Sequence, residues 1–417
     1  MNSGVRWRLS LMMFLEYATW GAWVVVLGAY LGAPPPREDP RFYLGFDPVQ
    51  VGAIFSLLPL ATIVAPFIFG QIADRMLSTQ YLLSICHILG GIVMFAMATQ
   101  RTYGPFMWLM LLYSLLYAPT LALTNSLAFT HMRDPEREFG GIRVWGTLGW
   151  IAAGWVLTGW RLYLPAVVGD LLILAGIFSV LLGLFSLVLP HTPPKKEGVN
   201  PLAFLEALKL FANSNFAVFM VISFIVGTEL EFYYILTSPY MEHLGFARER
   251  VPAIMTIAQI AEILVMAVLL PRLLPKLGAR RLLAMGVIAW PVRYAIFAFL
   301  PIPWLVAASL ILHGFCYVFF FVVGFIYVDQ VAPKDIRASA QALVAIVVLG
   351  AGRFLGSRFA GWIQGRYTAD GVTNWQSVFL VPCVLTIACA VAFLLFFRDE
   401  KAIPHAPSEP QVSAAEA

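Results

Sequence analysis

Charged and hydrogen-bonding side chains interrupt long apolar stretches of this 417-residue chain. In the segment GIRVWGTLGW, helical spacing places Arg143, Thr147 and Trp150 on one face. An arginine at the centre of a membrane-spanning helix costs about 2.5 to 3.5 kcal/mol on insertion scales, so it normally faces a partner or a water-filled cavity. A cation, a hydroxyl and a ring along one stripe predict a site for a flat, polar small molecule.

The segment GTELEFYY brings two carboxylates into another apolar stretch. Glu229 and Glu231 are two residues apart and therefore point to opposite sides of a helix, whereas Glu231 and Tyr234 share a face. We predict that the face of Glu231 lines a cavity and that Glu229 packs toward another helix. The alternative for both is a structural carboxylate that is paired with a basic residue or held protonated.

A third polar face lies in IMTIAQIAEILVM, where Gln259 and Glu262 are three residues apart. A carboxylate in such a position is costly to leave ionised and unpaired, and this property suits a group that binds and releases a proton. We therefore predict Glu262 as the proton-coupling residue, with Glu231 as the second candidate. The alternative for Glu262 is a structural ion pair with Arg293.

Two further stripes carry titratable residues. His313 and Tyr317 share a helical face, and a histidine titrates near neutral pH, although a lone histidine in a helix is more often simply hydrogen-bonded. Glu16, Trp20 and Trp23 form another stripe near the start of the chain. Glu16 is a candidate second protonatable group, whereas aromatic residues there are commonly anchors at the membrane edge.

The elements that must carry these faces are membrane-spanning helices. Hydrophobic residues make up 60% of the chain and charged residues only 12%, which is too little polar surface to cover a soluble protein of this size. Apolar runs of about 20 residues recur along the chain, as expected for helices that cross a bilayer. The four cysteines form no CxxC pair, so no disulfide framework or metal site is predicted, and nothing indicates a cofactor or nucleic acid.

We predict an all-α integral membrane fold with twelve transmembrane helices in two six-helix bundles, the first run being a span and not a cleaved signal. The bundles cover residues 1–190 and 215–397, with a central cytoplasmic loop at 191–214 and a disordered cytoplasmic tail at 398–417. A cytoplasmic N-terminus puts about 16 Lys and Arg on the inner side against about 7 on the outer side, so both termini are expected inside. The predicted spans are 8–31, 48–74, 78–99, 104–130, 139–161, 165–190, 215–242, 249–272, 281–300, 303–328, 337–363 and 375–397.

Two short patterns support a two-half organisation. The pattern V-x-A-I at residues 51–54 recurs at residues 251–254, on the other side of the central loop, as expected for an internal repeat. At the inner end of the second span, Gly70, Asp74 and Arg75 resemble the conserved loop motif of the major facilitator superfamily. In that superfamily the motif closes the two halves on the cytoplasmic side, although the Gly and basic residues expected next are replaced here by MLST.

Several segments, in order over nearly the full chain, resemble the nucleoside:proton symporter family, the NupG-like branch of that superfamily. They are TWGAWVVVLGAY, GQIADR, YAPTLALTNSLAF, IRVWGTLGW, GTELEF, AQIAEIL, IRASAQ and DGVTNWQSVF. The resemblance implies a two-bundle fold that carries nucleosides inward with a proton. Glu231 and Tyr234 stand where the family has Gln and Asn, and Val318 stands where it has Asp, so the resemblance leaves the proton route and the base preference open. The substrate contacts that the resemblance implies are Arg143, Thr147, Trp150, Glu231, Tyr234, Gln259, Glu262 and Tyr317.

The sequence therefore predicts a proton-driven nucleoside importer of the cytoplasmic membrane that works by alternating access. Its expected partners are a nucleoside, protons and the lipid bilayer, and a monomer is expected. A carrier of the same fold for a sugar or a drug-like amphiphile is the alternative. A membrane-embedded enzyme is disfavoured, because the sequence carries no paired catalytic motif and no soluble catalytic domain.

Overall fold

The computed structural model describes residues 2–35, 38–65, 77–193, 203–333 and 336–398. The predicted gate residues Gly70, Asp74 and Arg75 lie outside the described residues, as do much of the predicted central loop and residues 399–417. The predictions made for those segments therefore remain predictions.

Helices joined by short connections form nearly all of the described chain, with two 3₁₀ segments at Pro40–Phe42 and Ala203–Ala212. A small antiparallel hairpin pairs β1 (Thr368–Ala369) with β2 (Val372–Thr373). The helical stretches are α1 (Ser3–Gly21), α2 (Leu27–Leu31), α3 (Pro48–Ala65), α4 (Thr79–Ala98), α5 (Tyr103–His131), α6 (Pro135–Tyr163), α7 (Asp170–Ser186), α8 (Ser214–His243), α9 (Val251–Phe299), α10 (Pro303–Val331), α11 (Arg337–Arg366) and α12 (Trp375–Phe396).

The apolar composition of these helices fits a membrane. Eight of the described stretches are long and apolar enough to cross one, namely α3, α4, α5 and α8 to α12, and α7 is a shorter apolar helix. The start of α3 shows how the polar connections fix helix ends: the Asp47 carboxylate accepts the N–H groups of Val49 and Gln50, and the Gln50 side chain accepts the Asp47 N–H. The chain is an all-helical, multi-pass membrane protein.

The predicted first span is interrupted. Helix α1 ends at Gly21 and α2 begins at Leu27, with a turn at residues 22–26 that contains three consecutive valines, which disfavour helix because they are β-branched. The turn separates the two tryptophans of the predicted stripe. Trp23 contacts the Tyr113 ring of α5, whereas Trp20 contacts both Tyr117 of α5 and Trp150 of α6.

The predicted eighth and ninth spans lie in one long helical stretch, α9, which bends at Gly278. The φ angle of Gly278 is 74°, in the left-handed region where glycine has no steric penalty. The bend therefore falls between the two predicted spans, within a basic segment that the sequence analysis had taken as a loop.

Three π-helical segments interrupt the C-terminal half, at Val265–Leu269 in α9, Phe315–Val322 in α10 and Ala345–Gly352 in α11. Such segments are rare and often mark functional sites, because the extra residue per turn redirects side chains. Here the first follows Glu262, the second contains Tyr317 and the third ends immediately before Arg353. All three are therefore next to charged or hydrogen-bonding residues inside the membrane.

Each half of the chain forms its own helix packing. In the N-terminal half α1 packs on α6 and α7, and α4 packs on α5 and α7; in the C-terminal half α9 packs on α10 and α12, and α8 packs on α11. Helices from opposite halves also meet, since α2 packs on α8, α3 on α11, and α6 on the start of α9. These last contacts bring the candidate site residues together.

Candidate functional site

Arg143 projects from the first part of α6 toward α1. Its guanidinium lies over the Tyr17 ring, with Cζ 4.0 Å from the ring centroid. Gly146 leaves room for this contact, because a Cβ there would come within 2.7 Å of Arg143 Nη1. Among the described residues, neither Glu231 nor Glu262 forms an ion pair with Arg143, because each carboxylate has a partner in its own half.

Trp150 lies where aromatic rings from both halves meet. Its ring centroid is 5.2 Å from that of Trp20 and 6.4 Å from that of Tyr234. Gly21 lets α1 approach this closely, since a Cβ at Gly21 would lie 2.8 Å from Trp150 Cα. Thr147 is half-buried on the preceding turn of α6. The structure therefore brings the predicted face of α6 next to the predicted face of α8.

Glu231 is fully buried and bonded through both carboxylate oxygens. Arg353 Nε donates to Oε1 over 2.5 Å, and Ser357 Oγ donates to Oε2 over 2.9 Å. The sequence analysis missed Arg353, although an arginine in the apolar segment AIVVLGAGRFLG is the same signal that singled out Arg143. Glu231 is therefore one member of a buried ion pair with Arg353.

Glu262 is the first member of a chain of three titratable or charged groups. Its Oε1 is 3.1 Å from His313 Nε2, and His313 Nδ1 is 3.0 Å from Arg293 Nη1. Arginine can only donate, so Nδ1 accepts and the proton of the neutral imidazole is on Nε2, facing Glu262. Arg293 is fully buried over the rings of Trp290 and Tyr233. The alternative for Glu262, a direct ion pair with Arg293, is therefore not what the structure shows, because His313 lies between the two side chains.

Tyr317 links the series Glu262, His313 and Arg293 to the rest of the site. Its ring centroid is 6.0 Å from that of His313, and it is within electrostatic range of Glu262 and of the guanidiniums of Arg143 and Arg353. Because Arg143 belongs to the other half, Tyr317 lies close to both sides of the site. The Glu262 side chain is 13% exposed, which makes it the accessible member of the chain.

Gln259 is buried one turn before Glu262, and its carbonyl oxygen accepts no hydrogen bond from the described residues. A buried amide oxygen without a donor costs free energy, which a ligand donor would recover. The position of Gln259 thus agrees with a role in ligand binding.

Glu16 forms a separate buried cluster in the N-terminal half. Thr120 Oγ1 donates to Glu16 Oε1 over 2.8 Å, and His87 Nε2 is 2.8 Å from Oε2. Ser179 Oγ donates its single proton to the His87 carbonyl oxygen, so it can only accept from His87 Nδ1, which is 3.1 Å away. Because Nδ1 then carries a proton, Glu16 and His87 Nε2 share one proton. The prediction that Glu16 is a second protonatable group remains a prediction, now with a defined partner.

Glu229 points away from Glu231, as the two-residue spacing predicts. It is fully buried, and neither of its carboxylate oxygens has a hydrogen-bond partner among the described residues. Its backbone oxygen accepts the Tyr294 hydroxyl of α9 at 2.6 Å. An unpaired, desolvated carboxyl is held protonated, which is the structural alternative that the sequence left open.

Buried ion pairs join the two halves where α6 and α8 end and α9 begins. Arg161 Nε is 2.7 Å and Arg248 Nη2 is 3.0 Å from Asp170 Oδ2, and Arg161 Nη1 donates to the Arg248 carbonyl oxygen. Burial, followed by the charge of Arg161, lowers the pKa of Arg248. Asp170 opposes both effects and therefore keeps the buried guanidinium charged.

Close packing accompanies these ion pairs. Trp155 Nε1 donates to Thr256 Oγ1 over 3.1 Å, and the Ala253 N–H donates to Thr158 Oγ1 over 3.0 Å. At Gly154 a Cβ would lie 2.8 Å from the Thr256 methyl group. We call this end of the molecule, defined by these contacts and the ion pairs of Asp170, the closed end.

Replacing Glu231 by Gln is expected to destabilise the protein, because the substitution leaves the Arg353 guanidinium in a buried site without its countercharge. Removing one partner of a buried pair costs about 3 to 5 kcal/mol. We expect a clear fall in the melting temperature of the detergent-solubilised protein. Asp39→Asn is the matched control, because Asp39 pairs with Arg41 in an exposed connection. Equal melting temperatures for the two variants would contradict the structural importance of the buried pair.

The fold and the site together define a class of protein. The two halves of this apolar helical bundle meet around buried charged and aromatic side chains and are closed at one end. This architecture is that of a membrane transporter and not of an enzyme. The profile described as Nucleoside H+ symporter matches residues 3–402, nearly the whole chain. The chain belongs to the nucleoside H+ symporter family.

Individual relatives agree with this assignment. The nucleoside permease NupG of Escherichia coli (strain K12) is 32% identical over 94% of this chain and 95% of the permease. The xanthosine permease of the same organism is 31% identical over 95% of this chain and 98% of the permease. The crystal structure of the nucleoside transporter NupG superposes with a TM-score of 0.82 at 30% identity, covering 96% of this chain and 100% of that one.

Proposed function

We propose that this protein is a proton-coupled symporter that imports nucleosides across the cytoplasmic membrane by alternating access. The observation that carries this proposal is the position of Glu262. It is a partly exposed carboxylate inside a membrane helix; its Oε1 is 3.1 Å from His313 Nε2, and the His313 ring is next to that of Tyr317. Such a group can bind a proton where the substrate binds.

The proposal assigns the chain to twelve spans in two six-helix bundles, at residues 1–190 and 215–397, with a central cytoplasmic loop at 191–214 and a cytoplasmic tail at 398–417. Both termini are proposed to be cytoplasmic and the carrier to act as a monomer. The loop charges support this orientation. It makes the closed end extracellular.

The proposed substrate site lies between the halves. Rings stack on the base, while amide, carboxylate and guanidinium groups bond the base edge and the ribose hydroxyls. Glu262 is proposed to bind the proton, with Glu231 as the less favoured candidate because Arg353 neutralises it. Gly70, Asp74 and Arg75 are proposed to form the cytoplasmic gate. The proposed substrate contacts are Arg143, Thr147, Trp150, Glu231, Tyr234, Gln259, Glu262 and Tyr317.

A ligand panel tests the substrate class. We expect uridine and other nucleosides to raise the melting temperature of the purified protein, because a ligand that binds only the folded state stabilises it by mass action. Free bases, ribose and disaccharides serve as controls. Stabilisation by sugars or by drug-like amphiphiles and not by nucleosides would overturn the proposal in favour of a carrier for another solute.

A further inference from the structure

The side chain of Arg353 occupies the boundary between the two halves of the molecule. Its Cζ is 5.0 Å from the centroid of the Tyr234 ring, which belongs to its own half, and 5.7 Å from that of Trp20, which belongs to the other half. Trp150 contacts both of these rings. The guanidinium therefore lies next to the ring of Tyr234, which is a proposed substrate contact, and next to the Trp20 ring of the other half.

The partners of Arg353 decide which of its atoms remain for a ligand. Of the five N–H donors of a guanidinium, the one on Nε donates to Glu231 Oε1, so the guanidinium is held in a fixed orientation. Glu231 Oε2 accepts Ser357 Oγ, so both oxygens of this carboxylate are bonded within the protein. A ligand in this part of the site therefore meets the Nη donors of Arg353, whereas each oxygen of Glu231 already holds a donor from the protein.

Donors of this kind discriminate between bases. Uridine carries a carbonyl oxygen where cytidine carries an amino group, and inosine differs from adenosine in the same way. A guanidinium N–H donates to the carbonyl but faces the amino group donor to donor. A site built to pair with one hydrogen-bonding group rejects the analogue that lacks it, because the buried polar group is then left unpaired.

We propose that Arg353 is a specificity-determining residue that contacts the base and makes the carrier prefer nucleosides with a carbonyl oxygen at this edge, such as uridine and inosine, over the amino-bearing cytidine and adenosine. The inference rests on the nucleoside transport proposed above. Glu231 and Ser357 act as positioning residues, because together they hold the guanidinium; the contribution to substrate binding proposed above for Glu231 is then made through Arg353.

A purely structural ion pair is the competing explanation. A buried pair is often no more stabilising than apolar residues of the same size, so stability alone is a weak reason for placing one between aromatic rings. A structural pair and a selective pair differ in one measurable respect. Loss of a structural pair lowers uptake of every nucleoside alike, whereas loss of a selective guanidinium changes the ratio between nucleosides.

The test is the KM ratio of cytidine to uridine, and of adenosine to inosine, for uptake into proteoliposomes. We expect ratios of about tenfold or more for the unchanged protein, since a hydrogen bond to a charged group is worth about that factor or more. The double variant Arg353→Gln with Glu231→Gln removes both charges together, so no buried charge is left unpaired, and its ratios should fall to within about twofold of unity. Arg353→Lys keeps the positive charge but loses the planar guanidinium with its several N–H donors, so intermediate KM ratios are expected.

Arg41→Gln is the control, because Arg41 pairs with Asp39 in an exposed connection and its loss should leave the ratios unchanged. Equal KM values for all four nucleosides in the unchanged protein would overturn the inference and leave nucleoside transport intact. Ratios that persist in both Arg353 variants would also overturn it. Failure of the unchanged protein to take up any of the four would contradict the proposed function itself.

Discussion

Replacing Glu262 by Gln is expected to abolish the accumulation of nucleosides against their gradient while leaving exchange of nucleosides across the membrane intact. Glutamine has the shape of a protonated glutamate and still approaches His313 Nε2, but it cannot release a proton. The variant then behaves as a carrier whose proton site is always occupied. The proton gradient therefore cannot drive the accumulation of nucleosides.

The size of this effect follows from the gradient. One proton moving down about two pH units supplies about 2.7 kcal/mol, which corresponds to about a hundredfold accumulation of substrate. We expect the variant to reach only equal concentrations on the two sides. Counterflow of labelled uridine in vesicles preloaded with unlabelled uridine measures the exchange that remains.

Glu206→Gln is the matched control, because Glu206 is exposed in the 3₁₀ segment Ala203–Ala212, away from the site. It should accumulate nucleosides like the unchanged protein. Full accumulation by the Glu262 variant would assign the proton to another group, with Glu231, His313 and the Glu16–His87 pair as the remaining candidates.

Replacing Asp170 by Asn is expected to open the closed end. Asp170 is the shared countercharge of Arg161 and Arg248, and both guanidiniums are buried, so its loss leaves two buried cations without the carboxylate that both of them contact. Breaking a buried pair costs about 3 kcal/mol or more, which corresponds to at least about a hundredfold change in the equilibrium between closed and open forms. Opening lets water reach the guanidiniums and thereby relieves the cost.

Cysteine labelling measures this opening. Thr256 is 2% exposed at the closed end, and the four natural cysteines are free and buried, so Thr256→Cys introduces one reporter thiol. A membrane-impermeant maleimide added outside should label it slowly in the otherwise unchanged protein and rapidly after Asp170→Asn. Asp329→Asn is the control, because Asp329 pairs with Arg337 elsewhere in the molecule. Labelling that stays slow after Asp170→Asn would show that these ion pairs do not hold the end closed.

The sequence predicted the faces of the helices better than their partners. Helical spacing correctly separated Glu229 from Glu231, and the face of Trp150 does meet Tyr234. Periodicity assigns residues to one side of one helix and says nothing about which helix lies opposite. For that reason the pairing of Glu231 with Arg353, and the place of His313 between Glu262 and Arg293, could be seen only in three dimensions.

Local changes in backbone geometry could not be predicted from the hydrophobic periodicity of the sequence either. The π segments before Arg353 and around Tyr317 depart from the 3.6-residue period on which the analysis relied. The break after Gly21 did have a local signal, the run of three valines, but the apolar pattern continues through it. Arg353 carried the same signal as Arg143 and could have been found by applying that argument to every intramembrane arginine.

Simultaneous recording of uridine uptake and internal pH in proteoliposomes tests the central claim, that nucleoside and proton move together. With equal pH on both sides and a pH-sensitive dye inside, an inward uridine gradient should acidify the lumen, and the Glu262→Gln variant should take up uridine without acidification. Uridine entry by the unchanged protein with no change in internal pH would contradict the account, and so would acidification that persists in the variant.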